Sequence, residues 1–287
     1  MDLSFRKLVL LFCLLGLALV PGVAIIPSAS AAPITFNTAL PVSEGAAVLR
    51  EQLIFSSASS SDTRTDQATA LTIGGYGVTP KLAVFGTLPF IHVDTNVGVA
   101  NTSSSALGDA TLFSRYEAYR RDRNGATTRL APLIGVRVPT GEEGETGNGS
   151  VDIFGGLVAT FATTDFNLGS QILYTANREA NGLEIGDTLA LDVSWQRRIW
   201  PKTLSASTRG FLFGVLEGNL TWQDDTRLDG VVEEGSSGAR FSISPGVQYV
   251  TQRWIADIAA TIPVKASFSG DLVEPDYSVQ TSIRINF

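Results

Sequence analysis

The sequence predicts an all-β chain, a transmembrane antiparallel up-and-down β-barrel of about twelve strands, behind a cleaved leader. Three observations carry that prediction. Segments of about ten residues alternate apolar and polar positions along most of the chain, the signature of strands with two unlike faces. The links between them alternate between long, polar loops and tight turns, as in barrels with loops on one side of a membrane and turns on the other. After Ala31 no apolar run reaches the roughly 18 residues a membrane helix needs, so any crossing must be made by strands.

The last strand shows the pattern most cleanly. Tyr277, Val279, Thr281, Ile283, Ile285 and Phe287 share one face; Ser278, Gln280, Ser282, Arg284 and Asn286 share the other. The apolar row ends on the terminal aromatic residue itself. This resembles the C-terminal signal of bacterial outer-membrane barrels, which implies that the barrel-assembly machinery reads the strand ending at Phe287. A core strand of a secreted β-sandwich is the alternative for this stretch alone.

Residues 1–31 read as a secretory leader. Arg6 and Lys7 begin it, Leu8 to Val20 form an apolar run too short for a membrane helix, and Ala29-Ser30-Ala31 fits a cleavage site. Cleavage leaves Ala32 first. Cys13 lies inside the leader, and the bulky Phe12 before it makes a poor lipoprotein signal. The mature chain therefore has no thiol, hence no disulfide and no cysteine nucleophile. Residues 32–44 are weakly patterned and read as a periplasmic N-terminal extension or a small plug. Residues 45–287 form the barrel, a length compatible with one domain. Export without membrane helices places the chain in the outer membrane of a Gram-negative bacterium, with outer-membrane lipid as its surroundings. The net charge of −7 and the lack of any Lys/Arg run argue against nucleic acid.

The first three strands are expected over 46–56, 68–78 and 82–91, the second with weak alternation. The fourth runs over 108–120 and the fifth over 128–138, joined by the hairpin signal Asn124-Gly125. The sixth covers 151–162 and the seventh begins at Phe166 after Thr164-Asp165. The eighth sets Leu189, Leu191, Val193 and Trp195 against Asp192, Ser194, Gln196 and Arg198. The ninth to eleventh cover 209–223, 240–250 and 254–265. Long polar loops are expected at 58–66, 93–106, 140–150, 178–185, 224–237 and 268–275. An even strand count puts both termini in the periplasm. Trp200, Trp254 and Phe287 then fall near periplasmic ends, and Tyr174 and Trp222 near outer ends, where aromatic girdles form.

The polar faces define the interior wall. The expected lumen-lining residues are Arg50, Asp109, Arg115, Glu117, Arg129, Arg137, Asp152, Asp192, Arg198, Glu217, Arg240, Asp257, Lys265 and Arg284. The expected lipid-facing residues are Leu189, Leu191, Val193, Trp195, Ile283, Ile285 and Phe287. Pairing the fourth and fifth strands about their turn sets Glu117 opposite Arg129 and Asp109 near Arg137, as cross-strand ion pairs. Such charges either cross-brace a narrow barrel or line a water-filled passage, and the two are compatible. The acidic outer loops, with Glu142, Glu143, Asp224 and Asp225 among them, lack the spacing of a calcium loop and read as solvated surface. No cofactor is expected.

An enzyme reading needs a histidine to relay a proton, and His92 is the sole candidate. It is expected at the outer end of the third strand beside Asp94, as an exposed residue. No G-x-S-x-G is present, and no second histidine is available to help ligate a metal. The expectation is no enzyme, with no catalytic, cofactor-binding or metal site.

Several segments resemble a family of outer-membrane transporters found with the meta-cleavage pathway of phenol degradation. They are Leu107-Gly108-Asp109-Ala110-Thr111-Leu112, the run from Leu130 to Gly141, Gly186-Asp187-Thr188-Leu189, Ser244-Pro245-Gly246-Val247-Gln248-Tyr249 and Ile262-Pro263-Val264. The resemblance implies a barrel that passes small, often aromatic or hydrophobic, molecules, and supplies no catalytic residue. The reading is a channel for passive uptake of a small-molecule solute through a mixed-charge lumen. The alternatives are a structural or surface-interaction barrel with a side-chain-filled lumen and, third, a barrel hydrolase.

Overall fold

The computed structural model describes residues 31–60, 62–142, 144–205, 208–267 and 274–287. The leader, with Cys13 and most of the cleavage signal, lies outside the described residues. Twelve antiparallel strands close into a barrel. They are β1 (Ala47–Ser59), β2 (Thr63–Gly77), β3 (Leu82–Val97), β4, β5 (Ala126–Val138), β6 (Asp152–Thr163), β7 (Phe166–Ala176), β8 (Thr188–Trp200), β9 (Gly210–Gln223), β10 (Gly238–Thr251), β11 (Trp254–Ala266) and β12 (Glu274–Asn286). β4 comes in three successive segments, Ala100–Leu107, Ala110–Tyr116 and Tyr119–Arg123. The strands pair with their neighbours in sequence, except that within β4 Ala100–Leu107 pairs only with β3 and Tyr119–Arg123 only with β5, and β1 pairs with β12 from Val48↔Asn286 to Ser59↔Glu274, which closes the sheet on itself. The amide of Phe287 donates to Ala47 O at 2.9 Å and fastens the end of the chain to its first strand.

Alternation decides the faces. On β8, Leu191, Val193 and Trp195 are 38%, 60% and 50% exposed, while Asp192, Ser194 and Gln196 between them are buried. On β12, Ile283 is exposed and Ser282 is buried. Leu112, Ile134, Leu168, Ile172, Leu216 and Ile258 continue the outward apolar surface around the barrel. A water-soluble protein does not leave so large a contiguous apolar surface uncovered, whereas hydrocarbon suits it. Trp200 and Trp254 at one end and Tyr174 and Trp222 at the other are exposed, giving two aromatic belts. Glu51 is a polar interruption of the outer wall: it faces outward and accepts a 2.9 Å hydrogen bond from Thr72 Oγ1.

Four expectations differ from the structure. The long loops expected at 58–66 and 93–106 are mostly strand. β1 and β2 meet after Ser59 and before Thr63, and β3 runs on to Val97 to pair with Ala100–Leu107. These stretches rise beyond the apolar band, so both faces meet water and polar Ser and Thr replace the alternation. β4 is broken at Gly108-Asp109 and at Glu117-Ala118 instead of running unbroken from 108 to 120. Asp109 does not meet Arg137: Ala110 pairs with Val138, so Asp109 lies beyond the ladder, where it accepts the amides of Gly141 and Asn148 at 3.0 Å each. Arg137 pairs instead with Asp152 at 3.3 Å. Finally, Lys265 is exposed rather than inside. The ladder shifts between Phe241 and Ser242, so Lys265 pairs with outward-facing Phe241, whereas Ser242 pairs with Pro263. The extra residue, Val264, flips the parity.

Candidate functional site: the barrel interior

The inner wall begins as alternate residues of every strand. On one side Arg50 reaches Ser282 Oγ at 2.9 Å and Asp257 at 3.4 Å, and Ser282 Oγ donates to Asp257 at 2.7 Å. Arg284 lies opposite Arg50 in the ladder, and Arg240 lies opposite Thr221 on the inward face of β10. On another side Asp192 accepts Gln171 Nε2 at 3.0 Å and Asn219 Nδ2 at 2.9 Å. Toward the short-turn end of the barrel Arg129 pairs with Glu117, as expected, and with Asp122 at 3.1 Å. Arg198 sits at the same rim, pairing with Asp165 and donating to Pro201 O at 2.6 Å. Asp152, fully buried, joins Arg137, Asn148, Ser150 and the amide of Arg178.

Residues 31–40 run through this interior. Glu217, 1% exposed, accepts the amides of Ile34 and Thr35 at 2.9 Å each, and the Thr35 hydroxyl at 2.6 Å. Gln248 holds both backbone polar groups of one residue, accepting from Ala32 N at 3.0 Å and donating to Ala32 O at 3.1 Å. Gln171 accepts Asn37 Nδ2 at 2.9 Å, and Thr160 Oγ1 accepts Ala39 N at 2.9 Å. Arg50 donates to Ile34 O at 3.0 Å and Arg115 to Leu40 O at 2.7 Å. The segment's small apolar side chains cover apolar spots on the wall: Ala31 and Ile34 against Phe213, Val215 and Val250, Ala39 against Ala131, Leu133 and Val158. Buried polar groups must find partners, and here the segment and the wall supply each other's.

Another part of the wall is aromatic, and it adjoins the segment through Phe154 and Arg115. Phe85 stacks on Phe113 with ring centroids 4.8 Å apart, and Phe113 meets Phe154 at 6.2 Å, tilted. All three share the inward parity of Arg115, Ala83 and Asp152. Arg115 lies 4.8 Å over the Phe85 ring while it holds Leu40 O. Gly135 makes the row possible: a Cβ there would stand 2.4 Å from Phe154 and 2.5 Å from Phe113.

Alternation put charged residues on the expected wall; the structure places Asp109 beyond the ladder and Lys265 on the outward parity. The neutral Gln171, Thr160, Asn219 and Gln248 also hold the interior segment, and charge alone does not single them out. The inward phenylalanines were missed because an apolar residue on a weakly patterned strand gives no sign of its face. His92 is not an exposed loop residue; it lies in β3 and is 5% exposed. Among the described residues no group of three or more His, Cys, Asp or Glu is placed to hold a metal ion.

Fold and wall together define a closed β-barrel of the outer-membrane type. It is similar to the crystal structure of an outer-membrane channel from Pseudomonas putida F1, with a TM-score of 0.67 and 15% identity over 90% of this chain and 100% of that one. Looser resemblances include the β-domain of the Bordetella autotransporter BrkA, with a TM-score of 0.48 and 12% identity over 85% of this chain and 100% of that one. No protein-family model and no curated protein matches the chain.

Proposed function

We propose that the protein is an outer-membrane channel for passive uptake of small aromatic or hydrophobic molecules, with residues 32–44 acting as a plug in its lumen. The observation that carries this reading is an interior with two kinds of wall, polar and aromatic. One side is polar and holds the segment through side chains such as Glu217 and Gln248, an attachment that water can replace. The other side offers the row Phe85, Phe113 and Phe154, on which a flat solute can stack. The likeness to the Pseudomonas channel supports the channel class, and the family resemblance in the sequence supports an aromatic solute of the kind phenol degradation consumes. Nothing energy-coupled is required, since the solute moves down its gradient between outer loops and periplasm.

The outer membrane of a Gram-negative bacterium supplies the lipid for the apolar wall, and the alternating β12, followed by Phe287, supplies the element for the assembly machinery to read. A second reading rests on the same interior segment: a permanently closed barrel whose lumen is filled and cross-braced. Liposome swelling separates the two. The channel reading predicts faster entry of benzoate than of a sugar of similar mass, and loss of that preference in Phe113→Ala. Equal impermeability to both, in wild type and in a chain lacking 32–44, would favour the closed barrel.

A further inference from the structure

We propose a second activity on the outside of the barrel: hydrolysis of long-chain acyl esters by Ser105, His92 and Asp94. The imidazole of His92 lies between the other two. Its Nδ1 lies 2.6 Å from Ser105 Oγ and its Nε2 lies 3.3 Å from the Asp94 carboxylate. A hydroxyl, an imidazole and a carboxylate in series are the parts of a nucleophile activated by a base that an acid orients. The ring nitrogens take the reverse roles from the usual arrangement, with Nδ1 toward the hydroxyl, which the proton transfer itself tolerates.

The fold sets this group on the outward face of the barrel wall. Even-numbered β3 residues point outward, as exposed Val84 and Leu88 show, and Phe90, His92 and Asp94 continue that row. Ser105 pairs directly with His92 across the β3–β4 ladder. Gly108 N donates to Pro89 O at 2.9 Å, which makes 89/108 a hydrogen-bonded pair. Bonded and non-bonded pairs alternate, so 92/105 is a non-bonded pair, the kind that brings side chains closest. The same alternation turns the Ser105 amide toward the far edge of Ala100–Leu107, an edge that pairs with no strand among the described residues. That amide is then placed to face the oxyanion that forms on the ester carbonyl oxygen when Ser105 Oγ attacks its carbon.

The surroundings fit an amphiphile. His92 aligns through Ala68 with Phe55, two residues from the pairing of Ser57 with Tyr277, an exposed aromatic near the outer end. The group therefore lies about where lipid headgroups begin. Phe90 and its partner Leu107, 43% exposed, lie beside it on the membrane side, with Leu88 beyond. An acyl chain lying along these residues presents its ester carbonyl to Ser105, and the exposed Ser105 keeps water within reach.

The step balances with water as co-reactant. Ser105 Oγ attacks the ester carbonyl carbon as its proton passes to His92 Nδ1, and Asp94 steadies the imidazolium. The carbon–oxygen bond to the alcohol breaks, and His92 returns the proton to the departing alkoxide. Water then attacks the acyl-serine, gives its proton to His92, and releases the fatty acid as Ser105 recovers the proton.

The test uses the folded mature chain in detergent micelles with p-nitrophenyl palmitate. Expected is a rate that falls by about 10²–10⁴-fold in Ser105→Ala and in His92→Ala, and a fluorophosphonate probe that labels wild type but not Ser105→Ala. Ser104→Ala, next in sequence and on the other face of the strand, should keep the wild-type rate. Heat-modifiable migration on a gel confirms that each variant is a folded barrel. Equal rates for wild type and Ser105→Ala, or no labelling of Ser105, would overturn the proposal.

Discussion

At the scale of single residues, two neighbours on β8 carry the account in opposite directions. Leu191 is on the outer wall, whereas the Asp192 carboxylate is inside and held by Gln171 and Asn219. An arginine at a lipid-facing midplane position costs about 2–4 kcal/mol, so Leu191→Arg should lower the barrel's unfolding free energy in lipid by about that much. Asp192→Ala should cost less, about 1 kcal/mol, because two amides lose an acceptor in a polar interior. Urea titrations of both variants in lipid check this, and reversed magnitudes would invert the faces of β8. Residues of this kind were legible in the sequence because a charge between two apolar neighbours on a strand has one place to go. Lys265 shows the limit: one bulged residue, Val264, turns an inward position outward, and nothing in local composition marks the bulge.

At the scale of elements, alternation gave the strands and their order, but only within the apolar band. Above it, β1 to β4 continue as Ser- and Thr-rich strands where alternation no longer distinguishes two faces, so their outer parts read as loops. That blind spot also hid the His92–Ser105 pairing, which exists because β3 and the first segment of β4 extend together. Inside the band, the aromatic row spans three strands across one glycine. Gly135→Val would place a side chain within 2.6 Å of Phe113, Phe154 and the Leu112 carbonyl. Overpacking of that kind costs about 1–3 kcal/mol. The variant should unfold at lower denaturant than wild type, and unchanged stability would mean that the row does not meet at Gly135.

At the scale of the whole molecule, a lipid-facing wall is joined to an interior that its own N-terminal segment fills. Single-channel recording in planar bilayers tests that union most directly, comparing the mature chain, a chain lacking 32–44, and Glu217→Ala, which removes the acceptor of the Ile34 and Thr35 amides. The account predicts small or intermittent currents for the mature chain, large steady currents for the shortened one, and more frequent opening for Glu217→Ala. Folded protein that stays silent in all three forms would contradict it.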